Sequence, residues 1–161
     1  MKRTFLFALA LSLILAPMTF ANGKGIKITE NKAKKQLDIT IDGELFTSYC
    51  WWDGQKKPIL YPLKTAKGTV VTRSYPIAKV AGERTDHPHH ISSWFTYGNI
   101  NGVDFWNTPS DDVKTSYDAG KMGKIVHRSF SNIKNGDKAA SMKLQADWII
   151  RMAPKSCSKM K

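Results

Sequence analysis

Cysteine is scarce: only Cys50 and Cys157 occur among 161 residues. With no CxxC pair, a thioredoxin-like redox couple and a cysteine zinc knuckle are both excluded. Cys157 lies in a tail without strand alternation, so two free thiols are expected rather than a disulfide. Acids are also few, 13 Asp and Glu against 25 Lys and Arg, and no Glu follows Glu83. A Walker loop, a GxGxxG turn, a GxSxG elbow and an HExxH helix are all missing, which removes the usual support for nucleotide-dependent, serine-hydrolase and zincin chemistry. Beyond residue 21 no apolar run approaches the roughly 20 residues that cross a bilayer as a helix, so no membrane span is expected there. Large apolar side chains, by contrast, are plentiful. Five Trp, seven Phe and five Tyr supply the surface that a single folded domain of this length needs, and wholesale disorder is excluded.

The chain opens with basic Met1-Lys2-Arg3, an apolar run from Phe5 to Ala16, and Pro17 ahead of Thr19-Phe20-Ala21. A short charged region, a brief apolar core and small residues at the cleavage positions form the pattern of a secretory signal cleaved after Ala21. A periplasmic or secreted protein follows as the expectation, with residues 1–21 as signal, 22–150 as the domain and 151–161 as a basic, disordered tail.

The formal charge is +12. Six of the basic residues (Lys2, Arg3, Arg151, Lys155, Lys159, Lys161) fall in the signal and the tail, leaving +6 for residues 22–150. The remaining ones, such as Lys34-Lys35, Lys56-Lys57, Lys64, Lys67 and Arg73, are scattered among acids and read as a solvated surface. A nucleic-acid partner is therefore not expected.

Period-two alternation dominates the body of the chain. Leu37, Ile39 and Ile41 alternate with Asp38, Thr40 and Asp42, then Asp42-Gly43 makes a tight-turn pair leading into Glu44–Trp52, so these runs predict a β-hairpin. Further short strands are expected at Ile59–Tyr61, Thr69–Arg73, Ile91–Tyr97 and Val103–Trp106, with a polar loop over 107–123. A second hairpin joins Lys124–Ser131 to the alternating Met142, Leu144, Ala146, Trp148 and Ile150 through a turn at Lys134–Asp137. Short strands with turns between them, and no helical periodicity past the signal, predict an all-β antiparallel sandwich or barrel.

The densest polar cluster is Gly82-Glu-Arg-Thr-Asp-His-Pro-His-His-Ile91, with three of the four histidines. Pro88 disfavours the helical region at His87, so an extended chain is expected, with His87 and His89 on one face and Asp86 and His90 on the other. Two imidazoles at i and i+2 can ligate one metal ion, completed by His127, Asp104 or Asp86 through folding. Without metal, His87, His89 or His90 can act as general acid or base, with Asp86 or Glu83 as the orienting carboxylate. A purely structural turn is the third reading. Trp94, Tyr97 and Trp106 stand beside the cluster, together with Phe95 and Phe105. Most of these rings belong in a core, but Trp and Tyr faces beside His, Asp and Arg also suit a sugar.

The stretch from Pro62 to Arg73, and then Asp86-His-Pro-His-His90 through Trp94-Phe95, Tyr97-Gly98, Asn101-Gly102 and Asp104-Phe-Trp106, resembles the exported bacterial family labelled methane oxygenase PmoA. The resemblance covers roughly residues 25–148. It implies a galactose-mutarotase-like β-sandwich continuing beyond the Trp148 strand, so the chain, which departs from the pattern at Ile149, is expected to be a truncated product. It also implies a protein that acts on or binds carbohydrate, with Asp86, His87, His89 and His90 at the sugar-facing site and Arg73 and Arg84 holding polar or anionic substrate groups. The label itself implies a rival, a copper or iron oxygenase with His87 and His89 as ligands. A non-catalytic glycan-binding module and an inactive truncated product are two further readings. The residues specify no cofactor.

Overall fold

A computed structural model describes residues 23–107 and 122–150. The expected signal, the tail with Cys157 and most of the 107–123 loop lie outside the described residues. Among the described residues the regular structure is β apart from one 3-10 turn at Lys32–Lys34, and every pair of named strands is antiparallel. Strands β1 (Ile26–Asn31), β2 (Gln36–Ile41), β3 (Glu44–Cys50), β4 (Ile59–Leu60) and β5 (Ser93–Trp94) form one sheet in sequential order. Two hairpins accompany it, β6 (Asn99–Ile100) with β7 (Val103–Asp104), and β8 (Gly123–Lys134) with β9 (Ser141–Ile150).

The predicted β2–β3 hairpin is present, with Ile41 opposite Glu44. Its two turn residues both have positive φ, 50° at Asp42 and 87° at Gly43. That is the geometry whose twist matches the flanking strands and which an Asp-Gly pair supplies. The same Asp42 Oδ1 accepts from the Gly25 backbone N–H at 2.8 Å, tying the turn to the start of β1. The β8–β9 hairpin is also where alternation placed it, and its turn returns to the sheet: Asn135 Oδ1 accepts from the Ile28 N–H at 2.9 Å, and Ile26 N–H donates to the Gly136 carbonyl at 2.8 Å.

Strand register sorts the core. Leu37, Tyr49 and Leu60 lie opposite one another across β2, β3 and β4, and this face packs with Ile28 against Phe130, Ile133 and Met142 of the β8–β9 region. Sheet against hairpin is a sandwich-like arrangement. The reverse face carries Cys50, Ile59 and Trp94, again directly opposite one another, and is covered by Ile77 and Ile91 of the long 61–92 connection. A third cluster, Val103, Phe105 and Ile125 with Trp148, joins the small hairpin to β8–β9. Gly123 is required there, because a Cβ would lie 2.2 Å from the Phe105 ring.

Three expectations are corrected. The Thr69–Arg73 strand is reduced to a single bridge, Val70 opposite Lys64, around a turn at Thr65–Gly68, and Val70 and Val71 are exposed. The strand expected over Ile91–Tyr97 is only Ser93–Trp94, because it pairs with a two-residue partner, and Phe95 beyond it is 82% exposed. Lys56 and Lys57 do not belong to a solvated surface: they are 8% and 3% exposed, with their ammonium groups donating to the backbone carbonyls of Asp104, Asn107 and Trp106.

Candidate functional site

The 61–92 connection presents the histidine cluster because it is fastened at both ends and in the middle. Ser92 Oγ donates to the Leu60 carbonyl at 2.6 Å and lies 2.8 Å from Thr72 Oγ1, fixing the exit of the loop at the sheet edge. The Glu83 carboxylate accepts from the Ser74 and Tyr75 N–H groups at 3.0–3.1 Å, closing the 74–83 segment. Arg73 then reaches across: its guanidinium donates to the carbonyls of Arg84, Asp86 and His87 and lies over the Tyr75 ring at 5.0 Å. The planar fork of arginine suits this multiple engagement. The guanidinium of Arg73, expected to meet substrate, is turned to the backbone of the cluster and braces it.

Asp86, His87, His89 and His90 are brought together, but not as an extended chain. His87 has φ of 47° and its carbonyl accepts from the His90 N–H at 2.9 Å, so residues 87–90 form a tight turn. The preference that Pro88 imposes on His87 is overridden by the Arg73 bonds to the backbone on either side and by the Asp86 Oδ2–His87 Nδ1 contact at 3.1 Å. Instead of splitting between two faces, the three rings gather. Their centroids are 5.6 Å apart for His87–His89, 5.2 Å for His87–His90 and 4.3 Å for His89–His90.

Asp86 also pairs with Arg84 at 3.1 Å and with Arg73 at 3.6 Å. Desolvation opposes its charge, but the hydrogen bond from His87 and the Arg84 cation outweigh it and hold the carboxyl below the usual range. His89 moves the other way. Desolvation first, then the charges of His90, Lys57 and His87, push its pKa down to about 4, so it is a neutral imidazole at pH 7.

The wall beside the histidines is aromatic. Trp94 and Trp106 meet edge to face at 4.6 Å, and His90 lies 6.3 Å from the first and 6.4 Å from the second. Trp106 keeps part of its surface in solvent. Tyr97, also expected at the site, is exposed and not among the rings that contact the cluster in the described residues. Arg84 is exposed apart from its Asp86 pair.

Lys57 is the residue that sequence reasoning missed. Its ammonium sits 4.2 Å over the Trp94 ring and donates to the Trp106 carbonyl at 2.7 Å, so it underlies both Trp rings that flank the histidines. Burial, reinforced by Lys56, lowers its pKa to about 7. Nothing in the residue pattern marked it, since Lys56 and Lys57 are both buried ahead of a strand that begins only at Ile59. Asp104 anchors the neighbouring turn, accepting from the N–H groups of Trp106 and Asn107 at 2.7 and 3.0 Å.

His127 does not complete a metal site with the other three. It stacks on Trp51 at 4.3 Å, its Nδ1 lies 3.3 Å from the Tyr49 hydroxyl, and burial lowers its pKa. Among the described residues no group of three or more His, Cys, Asp or Glu side chains is disposed to hold a metal ion. No helix among them is long and apolar enough to cross a membrane. Cys50 is a free, buried thiol with its pKa pushed up to about 12, mainly by burial, so it is a poor nucleophile.

No curated protein and no solved structure matches the chain. Residues 36–155, a span that includes every side chain of the cluster and runs past Ile149, match the family described as Family of unknown function (DUF6807), and the chain belongs to that family.

Proposed function

We propose that the His87–His89–His90 turn is an acid/base site for a carbohydrate or similar small polyol in an exported protein. The observation that carries this reading is the gathering of three imidazoles, one of them held neutral, against a partly exposed tryptophan pair. The face of Trp106 offers an apolar surface for the C–H side of a sugar ring. His89 is the proton acceptor, available at every pH well above 4. His87, its Nδ1 held 3.1 Å from Asp86 Oδ2 so that the carboxylate orients the ring, is the donor to a ring or leaving oxygen. The resemblance to the PmoA-labelled family and its mutarotase-like sandwich supports a sugar over other polyols. Export rests on the pattern of residues 1–21.

The test is polarimetry of freshly dissolved galactose with the purified chain, beside His89→Ala and His87→Ala. Accelerated equilibration that falls by about 100-fold in His89→Ala is the expected result, in line with the loss of one acid/base group. Unchanged rates in both variants would overturn the assignment. Saturable quenching of tryptophan fluorescence by sugars without any turnover would favour the glycan-binding module instead. The oxygenase reading requires copper or iron bound in about one equivalent and lost in the His87→Ala/His89→Ala double variant.

A further inference from the structure

A second site lies apart from the histidine turn, where the 51–58 loop meets the leading end of β8. The two are stitched together by the Ile125 N–H, which donates to the Lys56 carbonyl at 2.8 Å. Between them is a cavity of about 250 Å³. That is below the ~300–1,000 Å³ of pockets for drug-sized ligands and suits a single sugar ring or smaller.

Three features of the lining define what would fit. Gln55 is 6% exposed, and both its amide oxygen and its amide nitrogen are buried without a hydrogen-bond partner among the described residues. A buried primary amide left unpaired in both directions is costly, and a ligand bearing adjacent donor and acceptor groups would satisfy it. Charge is the second feature. Lys35, Asp53, Lys57 and Lys124 line the cavity; Asp53 is paired with Lys35 at 2.5 Å and the Lys57 ammonium is engaged by the Trp106 carbonyl and the Trp94 ring, so among the described residues Lys124 is the cation left for a ligand. Third, Trp51 and Trp52 supply aromatic surface, and His127 adds an imidazole already braced on Trp51.

We infer that this cavity binds a small hydroxylated carboxylate, with the size and chemistry of a monosaccharide acid. The carboxylate lies toward Lys124, vicinal hydroxyls meet the Gln55 amide, and the apolar face of the ring lies against the tryptophans. The site shares no histidine with the turn, and Lys57, which lines the cavity and underlies the Trp94–Trp106 pair, is the residue common to the two.

The experiment is a tryptophan-fluorescence titration of the whole chain with sodium galacturonate at constant ionic strength, with galactose as the neutral counterpart. Saturable binding of galacturonate is expected, with galactose weaker by about tenfold or more, the worth of one charge-assisted hydrogen bond. Lys124→Gln, on a partly exposed strand position, should weaken galacturonate by a similar factor. Gln55→Leu should weaken it further while the near-ultraviolet circular dichroism stays that of the parent. The His87→Ala/His89→Ala double variant should bind galacturonate as the parent does. Equal affinity for the two sugars, no saturable binding, or full affinity retained in Lys124→Gln would overturn the proposal. So would loss of binding in the histidine double variant, which would place the acid at the histidine turn.

Discussion

At the scale of single residues, the histidine turn depends on side chains that do not themselves face a substrate. His87 holds a left-handed backbone at φ 47°, which costs a non-glycine residue roughly 1–3 kcal/mol and persists only where neighbours over-determine it. Arg73 is that neighbour, through its three carbonyl acceptors. Arg73→Lys keeps the charge but loses the fork, so residues 84–87 are expected to relax and the His90 N–H to lose its protection against hydrogen exchange. Unchanged protection at His90 would show that the turn holds itself. Lys57 gives a prediction about pH. In the folded chain it holds its proton only below about 7, against 10.5 in the unfolded chain, so between these values the unfolded state binds more protons and stability rises with pH. Buried Cys50, with its pKa pushed up to about 12, acts oppositely above about pH 9, so the clean window is pH 7 to 8.5. Across that window the stability of the parent should rise by up to about 2 kcal/mol relative to Lys57→Met, read from urea denaturation of both proteins at the two pH values. Parallel curves would mean that Lys57 keeps its proton. Neither arginine clamp nor buried lysine was legible beforehand, because a charged residue in a sequence carries no mark of the carbonyls that folding will bring to it.

At the scale of elements, legibility followed the length of the alternating pattern. The β2–β3 hairpin and the β8–β9 hairpin carry long period-two runs with turn residues between them, and both formed where the pattern put them. The shorter β-branched and aromatic runs misled, since propensity without a long partner strand yields only a bridge at Val70 and a two-residue strand at Ser93–Trp94. The Asp42-Gly43 turn is the cheapest place to test the first hairpin. Gly43 sits at φ 87°, where an added Cβ costs roughly 1–2 kcal/mol, so Gly43→Ala should lower the urea midpoint by a corresponding amount. A neutral substitution would show that the β1–β3 ladders set the register without help from the turn.

At the scale of the whole molecule, the question is how a two-stranded hairpin is held on a five-stranded sheet. An isolated hairpin is marginal in water, so β8–β9 must draw its stability from the sheet. Part of that comes from apolar burial: Phe130 and Met142 against Ile28, Leu37 and Tyr49. The rest is polar and localised, because Asn135 at the hairpin turn accepts from the Ile28 N–H in the middle of β1, and Gly136 exchanges backbone hydrogen bonds with Ile26 in both directions. Asn135→Ala leaves the Ile28 N–H without its acceptor at a nearly buried position, at a cost of about 1–3 kcal/mol. Because that bond joins two units rather than two strands of one, its loss should fall unevenly. Hydrogen exchange of the Ile28 amide and of the β8–β9 amides should accelerate first, while the β2–β3 amides retain the parent's protection. If all strands accelerate alike, sheet and hairpin open as one cooperative unit and the Asn135 bond contributes to global stability alone. If the hairpin loosens by itself, pocket and site part company: the 51–58 cavity, bounded by β8, should lose ligand binding, while the histidine turn, fastened to the sheet through Ser92 and braced within its own loop by Arg73, keeps its geometry.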